Sequence, residues 1–259
     1  MTLILNEIHI IDGLGHTAIV SAADRLITYG GRRNSLRHKV FRIPFMEGTV
    51  SYFGLAAYPN PKRKDKWIFL SEIVPNIINQ LHESADLETF AKAFREKVTE
   101  LIPANLLQNN ASGFHICGYN SKNLPELWYF SNITNMSAEN GIYSGLLSSY
   151  GGLSEDFLRR DAKEKFSFDG ENLASAKNGV QTYRNGDVRA HSGVWLSSDA
   201  IFNHLSKFSD FEKPTIQDLK KYERYVRFQF QFLSSIYEHW CKRPNIGKPI
   251  DIIVLQPKS

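Results

Sequence analysis

Residues 17–43 read TAIVSAADRLITYGGRRNSLRHKVFRI. The first seven of these are apolar or small and suit a buried strand, which then stops on a charged pair, Asp24 and Arg25. A second apolar run, KVFRIPF, opens on Lys39. The pattern therefore predicts a carboxylate and an ammonium at the mouths of two neighbouring strands. Upstream, TLILNEIHII (2–11) is equally β-rich, and DGLGH (12–16) supplies two glycines for a turn, so the chain opens with a predicted hairpin. Pairing Ile11 with Thr17 across that turn sets Ile4 opposite Asp24 and Thr2 opposite Leu26. Because alternate residues share a face, this register puts Thr2 on the side of Asp24, one diagonal step away.

Beyond the second apolar run, TVSYFGLAA (49–57) reads as a further strand, and the period then turns helical. Helices are predicted over WIFLSEIVPNIINQLHE (67–83), with a kink at Pro75, and over LETFAKAFREKVTELI (87–102), where Leu87, Phe90, Phe94, Val98 and Leu101 make one stripe. GFHICGYN and ELWYFSN follow as strands, and RNGD (184–187) reads as a hairpin turn because Asn-Gly favours positive dihedrals. A long helix is predicted over about 215–242, with Thr215 and Asp218 as its capping pattern and Leu219, Tyr222, Val226, Phe230, Leu233 and Tyr237 on its apolar face. PIDIIVLQ closes the chain as a strand. Helices grouped between strand runs, rather than placed singly between strands, point to an α/β (α+β) fold of a particular kind. It is a four-layer αββα sandwich of two mainly antiparallel sheets between helical layers.

Composition bounds the function. The chain has 259 residues, 42% hydrophobic, 12% aromatic and 22% charged, which is enough for one core and is read as a single domain, 1–259. No apolar run reaches the roughly 20 residues of a membrane span, and the N-terminus shows neither a basic leader nor a small-residue cleavage site. A cytoplasmic protein is expected, in which Cys117 and Cys241 form no disulfide framework and the NAS and NIT matches at Asn110 and Asn132 are chance. The net charge of +4 is mild, and its densest patch, NPKRKDK (60–66), is read as a solvated loop ahead of a helix. No interleaved aromatics there offer stacking platforms for nucleic acid. The eight histidines show no ligand spacing, and no P-loop or dinucleotide fingerprint occurs, so neither a metal nor a cofactor is expected.

TAIVSAADR, the spacing from Asp24 to KVFRI at Lys39, SYFGLAA with Gly54, two following helices and a closing IGKPIDIIVL together resemble the proteasome β-subunit family of N-terminal-nucleophile hydrolases, bacterial type. The resemblance covers roughly the first hundred residues and the last strand, and is poor over 140–210. It implies a threonine-type amidohydrolase or peptidase. Thr2, exposed by removal of Met1, would be the nucleophile, and its own α-amine the base. It further implies that Lys39 keeps that amine neutral by like-charge repulsion, that Asp24 holds Lys39, and that the Gly54 N–H faces the tetrahedral oxyanion. The alternative readings are an ordinary strand-end salt bridge for Asp24 and Lys39 and a packing glycine for Gly54.

Two places depart from the family pattern. In HWCKRPNIGKPID (239–251), Arg243 and Ile246 occupy the positions where active relatives carry an Asp and a Ser, with Gly247 alone retained, and SGLLSSYGG (144–152) is a candidate for the family's mid-chain Ser-Gly loop without a fixed alignment to it. The resemblance therefore leaves open a catalytically silent scaffold or sensor. Either way it implies a homo-oligomer, and YERYVRFQFQF (222–232) agrees, since Phe228, Phe230 and Phe232 cannot all face one core.

Overall fold

The computed structural model describes residues 3–29, 32–137, 142–157, 179–208, 210–242 and 245–258. It is a mixed α/β structure with antiparallel sheets and five helices among the described residues.

Strands β1 (Leu3–Ile10) and β2 (Thr17–Asp24) form the opening hairpin, and both are buried throughout. They sit at the centre of a four-stranded sheet, flanked by β14 (Gly179–Gly186) beside β1 and β15 (Ile250–Leu255) beside β2. All neighbours in it are antiparallel. A five-stranded antiparallel sheet has the order β13 (Ser154–Glu155), β10 (Pro125–Ser131), β9 (Ser112–Tyr119), β6 (Gly48–Gly54) and β5 (Val40–Ile43). Three two-stranded hairpins complete the β-structure: β3 (Leu26–Tyr29) with β4 (Arg32–Leu36), β7 (Ala57–Asn60) with β8 (Arg63–Phe69), and β11 (Ile133–Ser137) with β12 (Ile142–Leu146).

The helices divide between the two larger sheets. From α1 (Leu70–Gln80) and α2 (Leu87–Leu101), Val74, Ile77, Phe90, Phe94 and Val98 pack on Tyr52, Phe114, Ile116 and Phe130 of the five-stranded sheet. α3 (Ala104–Leu107) adds Leu107 to the same cluster. α4 (Val188–Leu205) and α5 (Leu219–Trp240) place Val194, Trp195, Val226, Phe230 and Leu233 against Leu3, Leu5, Val20 and Ala22 of the four-stranded sheet. The other face of β1 and β2 meets the five-stranded sheet: Ile8 and Ile19 with Cys117 and Leu127, and Ile4 and Ala23 with Val40 and Phe53. Alternation along one strand thus serves two cores, which is why β1 and β2 are apolar on both faces.

Several sequence expectations are corrected. The hairpin register is shifted by one: Ile10, not Ile11, pairs with Thr17, and Ile4 faces Ala23 rather than Asp24. The cause is the turn, in which the Ile11 N–H donates to the His16 carbonyl (2.9 Å) and Gly13 takes a positive φ of 69°. Residues 63–69 form β8, so 67–69 are strand rather than the start of the predicted helix, and the basic patch read as a loop lies on a hairpin's first strand end, turn and second strand. Trp67, Ile68 and Phe69 run directly into the helical period, and an apolar run so short does not separate strand from helix. Pro75 lies within α1 without ending it. RNGD is no hairpin turn: β14 continues to Gly186, whose φ is 103°, and α4 begins at Val188. The positive dihedral that Asn-Gly announces is used to pass from strand to helix. α5 starts at Leu219 because the Asp218 carboxylate accepts the Lys221 N–H at 3.0 Å, while Thr215 contributes only its carbonyl to the Asp218 N–H.

Candidate active site

The end of β2 and the residue before β5 carry the two charges that the sequence sets at strand mouths. Lys39 is fully buried, and its Nζ lies 3.1 Å from Asp24 Oδ2 and donates to the Leu26 carbonyl at 2.5 Å. Asp24, also fully buried, accepts the Leu26 N–H on Oδ2 at 3.0 Å and the Leu3 N–H on Oδ1 at 2.9 Å. The carboxylate therefore ties the start of β1, the start of β3 and the Lys39 ammonium together. Burial pulls the Lys39 pKa below the ordinary lysine value, opposed by the charge and hydrogen bond of Asp24 and by the charge of Asp251 on β15. Asp251 itself bonds to His38 Nδ1 at 2.8 Å, with the Arg25 Nε 3.7 Å away.

Lys39 and Gly54 line one cavity of about 440 Å³. Its remaining walls come from Leu26, Ile27 and Thr28 of β3, Tyr58 and Trp67 of the β7–β8 hairpin, and Leu106 and Asn110 after α2. The largely apolar lining suits a hydrophobic side chain. Gly54 has a structural reason of its own. It adopts φ +81°, and a Cβ there would stand 1.9 Å from the Ala111 carbonyl oxygen. Backbone packing alone therefore demands glycine at the end of β6.

Thr2 lies outside the described residues, as does Arg243. The register that sets Thr2 on the side of Asp24 does not hold. What stands in its place is a main-chain bond: Leu3, covalently next to Thr2, donates its N–H to Asp24. Of the four residues the sequence singles out, Asp24 and Lys39 are in contact, and Gly54 joins Lys39 at the cavity.

Ile246 is fully buried with Leu3, Leu5 and Val226, and a Cβ on Gly247 would meet Leu26 Cδ2 at 2.9 Å. Within 144–152, the Tyr150 hydroxyl bonds Ser112 Oγ at 2.7 Å and the Gly151 carbonyl accepts from Arg95 at 2.6 Å.

One acidic residue escaped sequence reasoning. Asp187 follows Gly186, the β14 partner of Leu3, and is 1% exposed. It stands at the N-cap of α4 without capping it through its side chain, and Asn245 Nδ2 approaches its Oδ2 at 3.5 Å. An Asp just ahead of a helix is a readable signal, but RNGD reads first as a turn.

Among the described residues no group of three His, Cys, Asp or Glu side chains is placed to hold a metal ion, and no helix is long and apolar enough to cross a membrane. Cys117 and Cys241 are both free thiols, and burial pushes the Cys117 thiol pKa up. No family model matches the chain, and no curated protein matches it.

Proposed function

We propose that the chain is a threonine-type amidohydrolase acting on peptides, with Thr2 as its nucleophile once Met1 is removed and Asp24, Lys39 and Gly54 as supporting groups. The observation that carries this reading is the fully buried Lys39–Asp24 pair, bonded to the amide of Leu3, with Lys39 among the residues that line the cavity. An α-amine has an ordinary pKa of about 7.7–8.0 and must be neutral to act as a base. A buried ammonium nearby lowers its proton affinity by repulsion. In the reaction the Thr2 hydroxyl oxygen bonds to the substrate carbonyl carbon while the amine takes the hydroxyl proton. The oxyanion faces the Gly54 N–H, the C–N bond then breaks, and the departing amine receives the proton. Water hydrolyses the resulting ester.

The same reading stacks the two larger sheets face to face between α1–α2 and α4–α5 as four layers, supported by the apolar contacts between and outside them. It also makes the protein a homo-oligomer, supported by the aromatic surface of α5, and keeps the expectation of a cytoplasmic location. A second reading, a silent scaffold, is favoured by one observation: Ile246 packs into the core where the resemblance calls for a serine. Intact mass together with turnover of a fluorogenic peptide panel separates the two. Loss of Met1, hydrolysis by the wild type and none by Thr2→Ala is the expected result. A processed, folded wild type inactive on every peptide favours the scaffold, and full activity in Thr2→Ala ends the mechanism.

A further inference from the structure

Two hairpins wall the cavity that Lys39 and Gly54 line, and each breaks its pairing register as it leaves that wall. In β3–β4, Leu26 and Ile27 pair with Leu36 and Ser35, but Thr28 pairs with Arg33 and Tyr29 with Arg32, so Asn34 is left over. In β7–β8, regular pairing runs to Pro59 with Trp67 and then jumps to Asn60 with Arg63, so Lys64, Asp65 and Lys66 bulge directly beside the wall residue Trp67. A bulge bends the strand and re-aims the side chains around it. Beyond both breaks the chain is basic. The two hairpins and their turns hold Arg32, Arg33, Lys62, Arg63, Lys64 and Lys66 against one acid, Asp65, in a chain whose whole net charge is +4. Lys62, Arg63 and Lys66 are exposed, and Glu72 of α1 is engaged by Arg37 at 3.2 Å. Like charges gathered around a cleft raise the local concentration of anions.

Resting on the peptidase reading of this cavity, we infer that the chain selects acidic peptides: one apolar side chain of the peptide enters the cavity, and Asp or Glu residues close to it in sequence meet the bases of the two hairpins. Leu26, Ile27, Leu55 and Leu106 give the cavity its apolar wall, and Trp67, which also lines it, is 38% exposed and offers a rim for an extended chain. An extended peptide advances about 3.3 Å per residue, so acids within about three positions of the buried side chain fall beside the bulged segments. The apolar wall decides for a peptide over a nucleic acid. A slot of this kind between basic hairpins fits a chain that is apolar at one position and anionic beside it, whereas a nucleic acid is charged at every step and brings no aliphatic group to fill the slot. Exposed ion pairs contribute little one at a time, so the selectivity comes from several bases acting together and weakens as salt screens them.

The test measures binding apart from turnover, on the full-length protein. Fluorescein-labelled peptides of equal length are compared by anisotropy: a Leu flanked by Asp and Glu, the same Leu flanked by Asn and Gln, and the acidic sequence with Ser in place of Leu. The acidic Leu peptide is expected to bind about tenfold more tightly than either of the others at about 50 mM NaCl, and to lose most of its advantage over the neutral one at about 500 mM. The double substitutions Arg32→Ser, Arg33→Ser and Arg63→Ser, Lys66→Ser should each cut that advantage several-fold while leaving the neutral Leu peptide's affinity unchanged, which a loss of folding would not do. Equal binding of the acidic and neutral Leu peptides, or binding of none of the three, overturns the inference even if the wild type cleaves peptides. Equal binding of the acidic Leu and Ser peptides, or displacement by a single-stranded oligonucleotide at a lower concentration than by the unlabelled acidic Leu peptide, overturns it in favour of a general polyanion surface. An acidic Leu peptide bound with this selectivity and never cleaved upholds the acidic partner and overturns the peptidase reading instead.

Discussion

The Lys39 ammonium lies 3.1 Å from the Asp24 carboxylate with neither side chain open to solvent by more than 1%. Removing one partner leaves a buried charge, a loss on the order of 3–5 kcal/mol, whereas the intact pair adds little over an apolar replacement of similar volume. Asp24→Ala should therefore destabilise more than Lys39→Met, because Asp24 also holds the amides of Leu3 and Leu26. Urea denaturation of both variants measures this, and equal midpoints would sink it.

The depressed Lys39 pKa has a definite sign in stability. Between the folded value and the ordinary 10.5, the unfolded chain binds more protons than the folded one, so stability rises with pH across that window. The difference in unfolding free energy between wild type and Lys39→Met should shift in favour of the wild type as pH rises toward 10.5. A difference independent of pH would contradict the assignment.

Turnover, where present, should fall about 10²–10⁴-fold in Lys39→Ala, in the range of a lost proton-transfer device, and Thr2→Ser should keep part of it because a hydroxyl remains. Initial rates on the best peptide of the panel decide this, after each N-terminus is confirmed by mass. A Lys39→Ala variant as active as the wild type would remove Lys39 from the mechanism.

The strands were largely legible because β1, β2 and β9 are continuous apolar runs bounded by turns, and α2 because its stripe and its Asp86 cap, accepting from Thr89 N–H at 2.7 Å, agree. The Asp24–Lys39 contact was legible for a similar reason, as charges at strand ends have few places to go. What failed were features set by one residue of turn geometry. Ile11 reads as strand yet bonds into the turn, which moves the register by one. Asn185–Gly186 reads as a hairpin yet leads into a helix, hiding Asp187. Hydrophobic period fixes which residues are inside, while a positive φ at a single glycine decides where the chain goes next.

Gly54→Ala tests whether packing or substrate demands the glycine. Positive φ for a residue with a Cβ costs of order 1–3 kcal/mol, and the Ala111 carbonyl at 1.9 Å from that Cβ adds a clash that only backbone movement relieves. A large drop in melting temperature is expected. Unchanged stability combined with lost turnover would shift the weight to substrate approach.

Phe228 and Phe232 remain 46% and 45% exposed and stack on each other 6.1 Å apart, while Phe230 between them is fully buried. With Leu196 and Ile201 of α4 and Trp240 at the end of α5 also exposed, the helical side carries a concentration of large apolar groups. Sedimentation at micromolar concentration should show an oligomer that the double substitution Phe228→Ser, Phe232→Ser dissociates. A wild type that sediments only as a monomer would end this expectation.

Between the sheets, Asn6 organises a polar cluster whose titration should be visible in acid. Its Oδ1 accepts from Ser21 Oγ at 2.7 Å, so its Nδ2 is the donor to Ser51 Oγ at 3.1 Å and to His115 Nδ1 at 3.0 Å. The ring is therefore neutral, with Nδ1 as acceptor. Protonating it would set two donors against each other in a site that is 3% exposed and walled by Phe53 and Tyr129. Burial accordingly lowers the His115 pKa from 6.5 to about 4, a side-chain hydrogen bond with Asn185 opposing the shift. Because the folded value lies below the unfolded one, His115 favours the folded state fully above about pH 6.5, and that contribution is lost as pH falls toward 4. The loss is on the order of 3 kcal/mol at one pKa unit per 1.36 kcal/mol. His115→Gln keeps an acceptor for Asn6 and does not titrate, so its unfolding free energy should fall less steeply than that of the wild type between pH 6.5 and 4. Parallel curves for the two proteins over that range would show that His115 carries no such penalty.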